Sequence, residues 1–201
     1  MYNKDFYKKY IQTFLELNSK INLISKNDEK VLWEKHIFDS LAIKYFFEKY
    51  FTLHSSPLTL LDIGTGGGFP AVPIAITYPD IEVFALDSIR KKINAIETIK
   101  SELDIKNLHT ICDRAENIRS KYDLITSRAV APLKVITEYA MPLLKGDGYF
   151  IAYKSLRTPE EIEEAQQTLK KYNSRVIEVI PYDLPLEENH TRNLVVIKKI
   201  T

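Results

Sequence analysis

The residues best suited to chemistry stand together in Leu60-Leu61-Asp62-Ile63-Gly64-Thr65-Gly66-Gly67-Gly68-Phe69-Pro70, which holds four of the chain's 6 glycines. An apolar run enters a glycine-rich turn, and a helix is expected from about Pro70. Glycine suits a turn where φ is positive or a ligand approaches the backbone closely, and a helix start exposes unpaired N–H donors to that ligand. Asp87 closes the next apolar run, 19 residues beyond Gly68. A carboxylate there can accept both hydroxyls of a ribose. A third run ends in Cys112-Asp113-Arg114-Ala115-Glu116 and a fourth in Ser127-Arg128-Ala129. Loops at the carboxyl ends of neighbouring parallel strands converge on one crevice, so these pieces point to an adenosine-bearing cofactor. Lys154 and Arg192 add cations near the same rim, as local phosphate positioning would require.

The nucleotide is left open by this reading. Gly66-x-Gly68-x-x-Ala71 satisfies the dinucleotide pattern, whereas Gly64-x-Gly66-x-Gly68 after an Asp looks like the first motif of class I S-adenosylmethionine methyltransferases. No Lys-Ser/Thr pair follows the turn, which removes Walker-type phosphoryl transfer. An oxidoreductase would want a Tyr-x-x-x-Lys pair; Tyr45 and Lys49 have that spacing but precede the sheet.

The elements that must position these residues follow from periodicity. Phe6, Tyr10, Phe14 and Leu17 share one face of a first helix ending near Asn18-Ser19. A second helix, capped by Ser25 or Asn27, is expected from about Asp28 to Lys49, with Val31, Phe38, Leu41, Ala42 and Tyr45 on its packing face. Trp33, His36, Asp39 and Ser40 gather on the opposite, polar face, so Asp39 becomes a positioning candidate beside Arg128. The text changes character at Ser55-Ser56-Pro57. Strands are then expected at Leu58 to Ile63, Ile81 to Asp87, Leu108 to Cys112, Tyr122 to Ser127, Gly148 to Lys154, Arg175 to Pro181 and Asn193 to Lys199. Helices start near Pro70, Ser88, Pro132 and Pro159, the last with a capping-box-like Thr158 and Glu161. The fold class is α/β, a doubly wound seven-stranded sheet, mostly parallel, with the last two strands antiparallel. Residues 1–201 form a single domain in this reading, with 1–54 as a helical extension packed on it.

Composition narrows the function classes. With 201 residues, 45% hydrophobic and 27% charged, the chain is an ordinary folded globule. Its net charge of +1 argues against binding nucleic acid by bulk electrostatics, so any such contact needs local clustering. Cys112 is the single cysteine, and His36, His54, His109 and His190 show no paired ligand spacing, so no metal is expected. The start of the chain lacks a signal-like apolar run and no stretch is long enough to span a membrane, which predicts a soluble cytoplasmic protein. Lys4, Tyr7, Lys8, Lys9 and Tyr10 form a basic-aromatic stretch that reads first as a solvated helix face.

Several blocks together resemble the RsmG (GidB) methyltransferases, from about Asn18 to the C-terminus. They are Asn18-x-Lys20-x-Asn22-Leu23, His36-Ile37-Phe38-Asp39-Ser40-Leu41, the glycine turn with Phe69-Pro70, Leu86-Asp87-Ser88, Arg114-Ala115-Glu116, Ser127-Arg128-Ala129 and Arg192-Asn193-Leu194-Val195-Val196-Ile197. The resemblance implies methyl transfer from S-adenosylmethionine to guanine N7 in 16S ribosomal RNA of the small subunit. It places Gly64, Phe69, Ala115, Glu116 and Arg128 at cofactor-contacting positions, with Asp87 supplying the ribose carboxylate. Lys154 and Arg192 are candidates for RNA contact, and a monomer is expected. Ala71, Gly67 and Ser155 depart from the family's usual residues. Two other readings share the fold: a methyltransferase acting on a small molecule, and a nonenzymatic ribosome-assembly factor.

Overall fold

The computed structural model describes residues 7–50, 58–187 and 190–200. Lys4, Phe6, His54 and the Ser55-Ser56-Pro57 boundary lie outside the described residues. The first helix, α1 (Lys8–Ile21), ends where Asn22 adopts the left-handed conformation and its N–H bonds the Asn18 carbonyl. Buried Asn18 ties the next turn down: its Oδ1 accepts from Ile24 N at 2.8 Å, and its Nδ2 donates to Glu29 at 2.6 Å. Asn18 and Asn22 therefore do structural work.

The single helix expected from Asp28 to Lys49 is broken into pieces. Ser25 caps the short α2 (Lys26–Glu29) as anticipated, accepting from Asp28 N. A wide turn with i to i+5 bonding then covers Trp33–Ile37, followed by α3 (Phe38–Leu41) and α4 (Lys44–Tyr50). The extra residue in the wide turn rotates everything after it about the axis. The buried stripe becomes Leu32, Ile37, Leu41, Ile43 and Phe46, while Val31, Phe38 and Tyr45 are only half-buried. The expected polar face turns inward: Asp39 and Ser40 are buried, and Trp33 packs edge-on against Tyr7 with ring centroids 5.3 Å apart.

The strands follow the expected plan: β1 (Leu58–Ile63), β2 (Ile81–Leu86), β3 (Leu108–Ile111), β4 (Tyr122–Arg128), β5 (Leu144–Lys154), β6 (Ser174–Leu184) and β7 (His190–Lys199). The sheet order is β3-β2-β1-β4-β5-β7-β6, parallel through β5 and antiparallel at β7. The last hairpin folds back so that β7, not β6, lies beside β5. Between strands run α5 (Ala71–Thr77), α6 (Arg90–Leu103), α7 (Leu133–Ala140) and α8 (Thr158–Lys171).

Alternation splits the core into two layers, because successive strand residues face opposite sides. Leu60, Val83, Leu124, Ile151 and Val196 meet the N-terminal helices, α5 and α6. Leu61, Ile125, Phe150 and Val195 meet α7 and α8. The N-terminal helices thus complete the first layer. Phe14 is fully buried, its ring 5.2 Å from that of Phe69. A Cβ on Gly67 would lie 3.3 Å from Leu23 Cβ and 3.4 Å from the Phe14 ring, so glycine fits here because α1 presses on the turn. Phe14→Ala should cost about 3–5 kcal/mol, as large-to-small core changes do. A shift of the urea midpoint at unchanged slope measures it.

Candidate active site

The backbone can turn at the end of β1 only through glycine. Gly64 has φ +71°, and a Cβ there would fall 2.5 Å from Val130 Cγ2, so neither conformation nor space allows a larger residue. Gly66 has φ +58° but no atom nearer than 3.9 Å to its would-be Cβ, which leaves that side of the turn open. Gly64 N and Thr65 N both donate to the Leu86 carbonyl, at 2.8 and 2.9 Å, pinning the turn to the end of β2.

Asp87 locks the same junction. Its Oδ2 accepts from Gly66 N and its Oδ1 from Ile89 N, each at 2.9 Å, so one carboxylate fixes the glycine turn and the entry to α6. Each oxygen keeps further acceptor capacity. Ala115 and Glu116 form a short turn after β3 at the same sheet edge, held by Asp113, which accepts from Arg114 N and Asn117 Nδ2. Neither makes a hydrogen bond to Asp87 or the glycine turn. The Phe69 ring is spent in packing against Phe14, His36 and Arg128.

Two buried groups beneath the turn lie outside the set expected from sequence. Asp62 is fully buried; its Oδ1 accepts from Thr126 at 2.9 Å, and its carboxylate lies near the Thr65 hydroxyl and the Ala71 N–H, though Oδ2 and Thr65 Oγ1 make no hydrogen bond of full geometry. Burial pushes the Asp62 carboxyl up to about 6. The available signal is an acid inside an apolar strand.

Arg128 and Asp39, distant in sequence, are in direct contact. Arg128 Nη1 lies 2.8 Å from Asp39 Oδ2 and donates also to the Lys35 carbonyl at 3.2 Å; Nη2 lies 2.8 Å from His36 Nδ1. The guanidinium carbon sits 5.3 Å from the Phe69 ring centre. Tyr182 donates to Asp39 Oδ1 at 2.6 Å and Tyr153 to the Ser40 carbonyl at 2.7 Å, so β5 and β6 brace the same helix segment. A guanidinium has five N–H donors, and three are used here, leaving two. Arg128 also lines a cavity of about 450 Å³ together with Val130, Lys154, Ser155 and Arg192.

Lys154 is engaged internally: its Nζ donates to the Ala131 carbonyl at 2.8 Å and to Glu161 at 2.6 Å. Glu161 also accepts from Leu133 N. The anticipated capping box is therefore absent; Arg157 stands at the N-cap and Thr158 donates to the Ser155 carbonyl. The half-buried Lys154 ammonium needs a carboxylate more than the helix end does. Arg192 is half-buried at the cavity rim, with no ion-pair partner among the described residues.

Relatives share this sequence and this fold. Residues 3–199 match the GidB family, rRNA small subunit methyltransferase G. The chain belongs to that family. It is 35% identical over 198 residues to Ribosomal RNA small subunit methyltransferase G of Staphylococcus saprophyticus, spanning 96% of this chain and 80% of that protein. The Listeria monocytogenes protein of the same name is 36% identical over 196 residues, 94% and 80% of the two chains. Among solved structures, a ribosomal protein L11 methylase from Lactobacillus delbrueckii subsp. bulgaricus superposes with TM-score 0.57 at 19% identity, covering 81% of this chain and 77% of that one. A precorrin-6y C5,15-methyltransferase from Geobacter metallireducens gives 0.55 at 15% identity, over 90% and 92%. These distant likenesses bear on the fold, a class I methyltransferase sheet.

His36 belongs to a block that marks this GidB member, and its environment sets a testable pH dependence. Burial, then the neighbouring Arg128 cation, lower its pKa to about 4 from the usual 6.5. Accepting from Arg128 at Nδ1 places the ring proton on Nε2, which faces Asp28 Oδ2 at 3.5 Å, a contact that offsets only part of the burial and of the Arg128 charge. The unfolded chain protonates near 6.5 and the folded one resists until about 4, so stability is lost as pH falls through this window. In paired unfolding titrations from pH 7 to 4, the advantage of the wild type over His36→Gln should shrink by on the order of 3 kcal/mol.

Proposed function

We propose that this chain transfers a methyl group from S-adenosylmethionine to N7 of a guanine in 16S ribosomal RNA of the small subunit. Family membership over residues 3–199 carries the reading. The site's geometry supports the cofactor. The open side of Gly66 offers room for a ligand against the backbone. Asp87 has remaining acceptor capacity for ribose hydroxyls, and the Asp62 carboxylate beneath the turn, whose Oδ2 makes no full hydrogen bond, would draw a ligand ammonium. Gly64, Phe69, Asp87, Ala115, Glu116 and Arg128 remain the proposed cofactor-binding set, Phe69 chiefly through the packing that supports Arg128. Bound S-adenosylmethionine supplies an electrophilic methyl on a sulfonium.

Guanine N7 carries an in-plane lone pair and no proton, so the chain needs no general base for the attack. Its task is orientation, which can supply on the order of 7–11 kcal/mol. In this reading Arg128 offers its two spare donors to a carboxylate or phosphate, and Asp39 is a positioning residue that holds the guanidinium in place. Lys154 acts through its grip on the Ala131 carbonyl, shaping the cavity wall, while Arg192 meets RNA. The protein works as a monomeric single domain in the cytoplasm, with residues 1–54 completing it and no metal required. No helix among the described residues is long and apolar enough to cross a membrane.

The decisive assay is transfer of labelled methyl to small ribosomal subunits from a strain lacking the activity, with nucleoside analysis of the RNA. 7-Methylguanosine should appear, and Asp87→Ala should abolish it. No transfer despite adenosylhomocysteine binding would sink the RNA assignment in favour of a small-molecule acceptor. Because Asp62 attracts an ammonium only as a carboxylate, cofactor affinity should fall as pH drops below about 6. Calorimetric titration across pH 5–8 should show that dependence flattened in Asp62→Asn.

A further inference from the structure

Charged side chains at the two edges of the sheet differ in how many have partners inside the chain. At the sheet edge formed by the amino ends of the parallel strands, Lys145 lies 2.9 Å from Asp123 and Lys198 3.9 Å from Asp147, while Lys106 pairs with Asp104. Lys121 and Lys199 there donate to backbone carbonyls of the segment around Met141–Leu144. Exposed Lys170 and Arg175 and half-buried Lys100 have no partner there among the described residues.

The opposite edge, which carries the glycine turn, differs. Arg90 and Lys91 open α6 after β2, Arg114 follows β3, Lys134 stands in the first turn of α7, Arg157 caps α8, and Arg192 begins β7. The first five are exposed and Arg192 is half-buried; none of the six side chains has an ion-pair or hydrogen-bond partner among the described residues. Cations in a helix's first turn oppose its dipole, which would favour carboxylates there. The first turns of α6 and α7 nevertheless hold no acid. Carboxylates at this edge are largely committed: Asp87 to Gly66 N and Ile89 N, Asp113 to its own turn, Asp39 to Arg128 and Glu161 to Lys154. Glu116, Glu160 and Glu187 are exposed, the last lining a hollow shared with Arg192.

We propose that Arg90, Lys91, Arg114, Lys134, Arg157 and Arg192 form a phosphate-binding band for the RNA acceptor, running along the whole carboxyl edge and across both sides of the cofactor crevice. This rests on the reading of the protein as an RNA methyltransferase. The band spans strands β3 to β7, roughly 24 Å at the usual strand spacing, so it meets several phosphates of one folded RNA segment. With a net charge of only +1, contact with a polyanionic substrate needs local clustering, and these six cations stand together along one edge without partners among the described residues. It also places RNA beside α6 and Arg114, on the adenosine side, and not only around the acceptor cavity. These cations read the backbone and leave the choice of guanine to the cavity.

The test compares Arg90→Glu with Lys91→Glu combined, Arg114→Glu, Lys134→Glu and Arg157→Glu against Arg175→Glu, the same charge change at the other edge. Methyl transfer to unmethylated small subunits is measured over subunit concentration and salt, at saturating S-adenosylmethionine. Each band variant should raise KM for subunits roughly 5- to 30-fold. It should leave kcat within about twofold and adenosylhomocysteine affinity unchanged, and flatten the salt dependence by about 0.7–0.9 in log–log slope for each phosphate no longer neutralised. Arg175→Glu should behave as wild type. Wild-type KM and salt slope in the band variants, or an equal KM rise in Arg175→Glu, would overturn the band while leaving the enzymatic reading intact. A wild-type protein that methylates no small-subunit RNA would overturn that reading and the band with it.

Discussion

The contact on which the structure turns is the buried pair of Arg128 and Asp39, 2.8 Å apart with side chains 15% and 7% exposed. A guanidinium cannot shed its charge and cannot be left unpaired out of water; removing one partner of such a pair typically costs about 3–5 kcal/mol. The carboxyl end of β4 therefore requires a carboxylate, and the helical segment before the sheet supplies it. Tyr182 and the Tyr153 bond to the Ser40 carbonyl hold that segment from β6 and β5. The N-terminal helices are in this way built into the site's wall instead of lying on the sheet as an appendage.

A second constraint works on the other side of the turn. Asp87 joins Gly66 N to Ile89 N, so the end of β2, the glycine turn and the start of α6 move as one piece. Between these two fixed points, Gly64 lets Val130 close against the turn. Val130 belongs to a loop whose Ala131 carbonyl is gripped by Lys154, itself held by Glu161. The cavity wall and the glycine turn are thus set by the same few polar interactions, and the core layers supply the rigidity behind them.

Much of the site is legible in the sequence because it obeys local rules. A glycine turn between strand and helix, an acid closing the following strand and an arginine closing the fourth are each written in a few adjacent residues, and strand boundaries follow apolar runs. The segment from Asp28 to Lys49 departs from a single helix because periodicity assumes a constant twist, and the wide turn at Trp33–Ile37 shifts the face by one residue. The capping box at Thr158 fails for a similar reason: the local partner of Glu161 loses to a half-buried lysine seven residues upstream. Asp62 is marked in the sequence only as an acid inside an apolar strand and Thr65 not at all, because their environment is set by burial after the sheet assembles.

The sequence by itself determined the parallel α/β plan, the place of the glycine turn and the family, since these rest on short-range patterns of glycine, apolar runs and spaced motif residues. Tertiary structure alone decided which charges are free. In the sequence Arg128 and Lys154 look equivalent to Arg192 as rim cations, yet the first two are neutralised by Asp39 and Glu161 and the third has no ion-pair partner among the described residues. Pairing depends on which side chains meet after distant segments pack, and a charge's availability to a ligand is the remainder once those meetings are made.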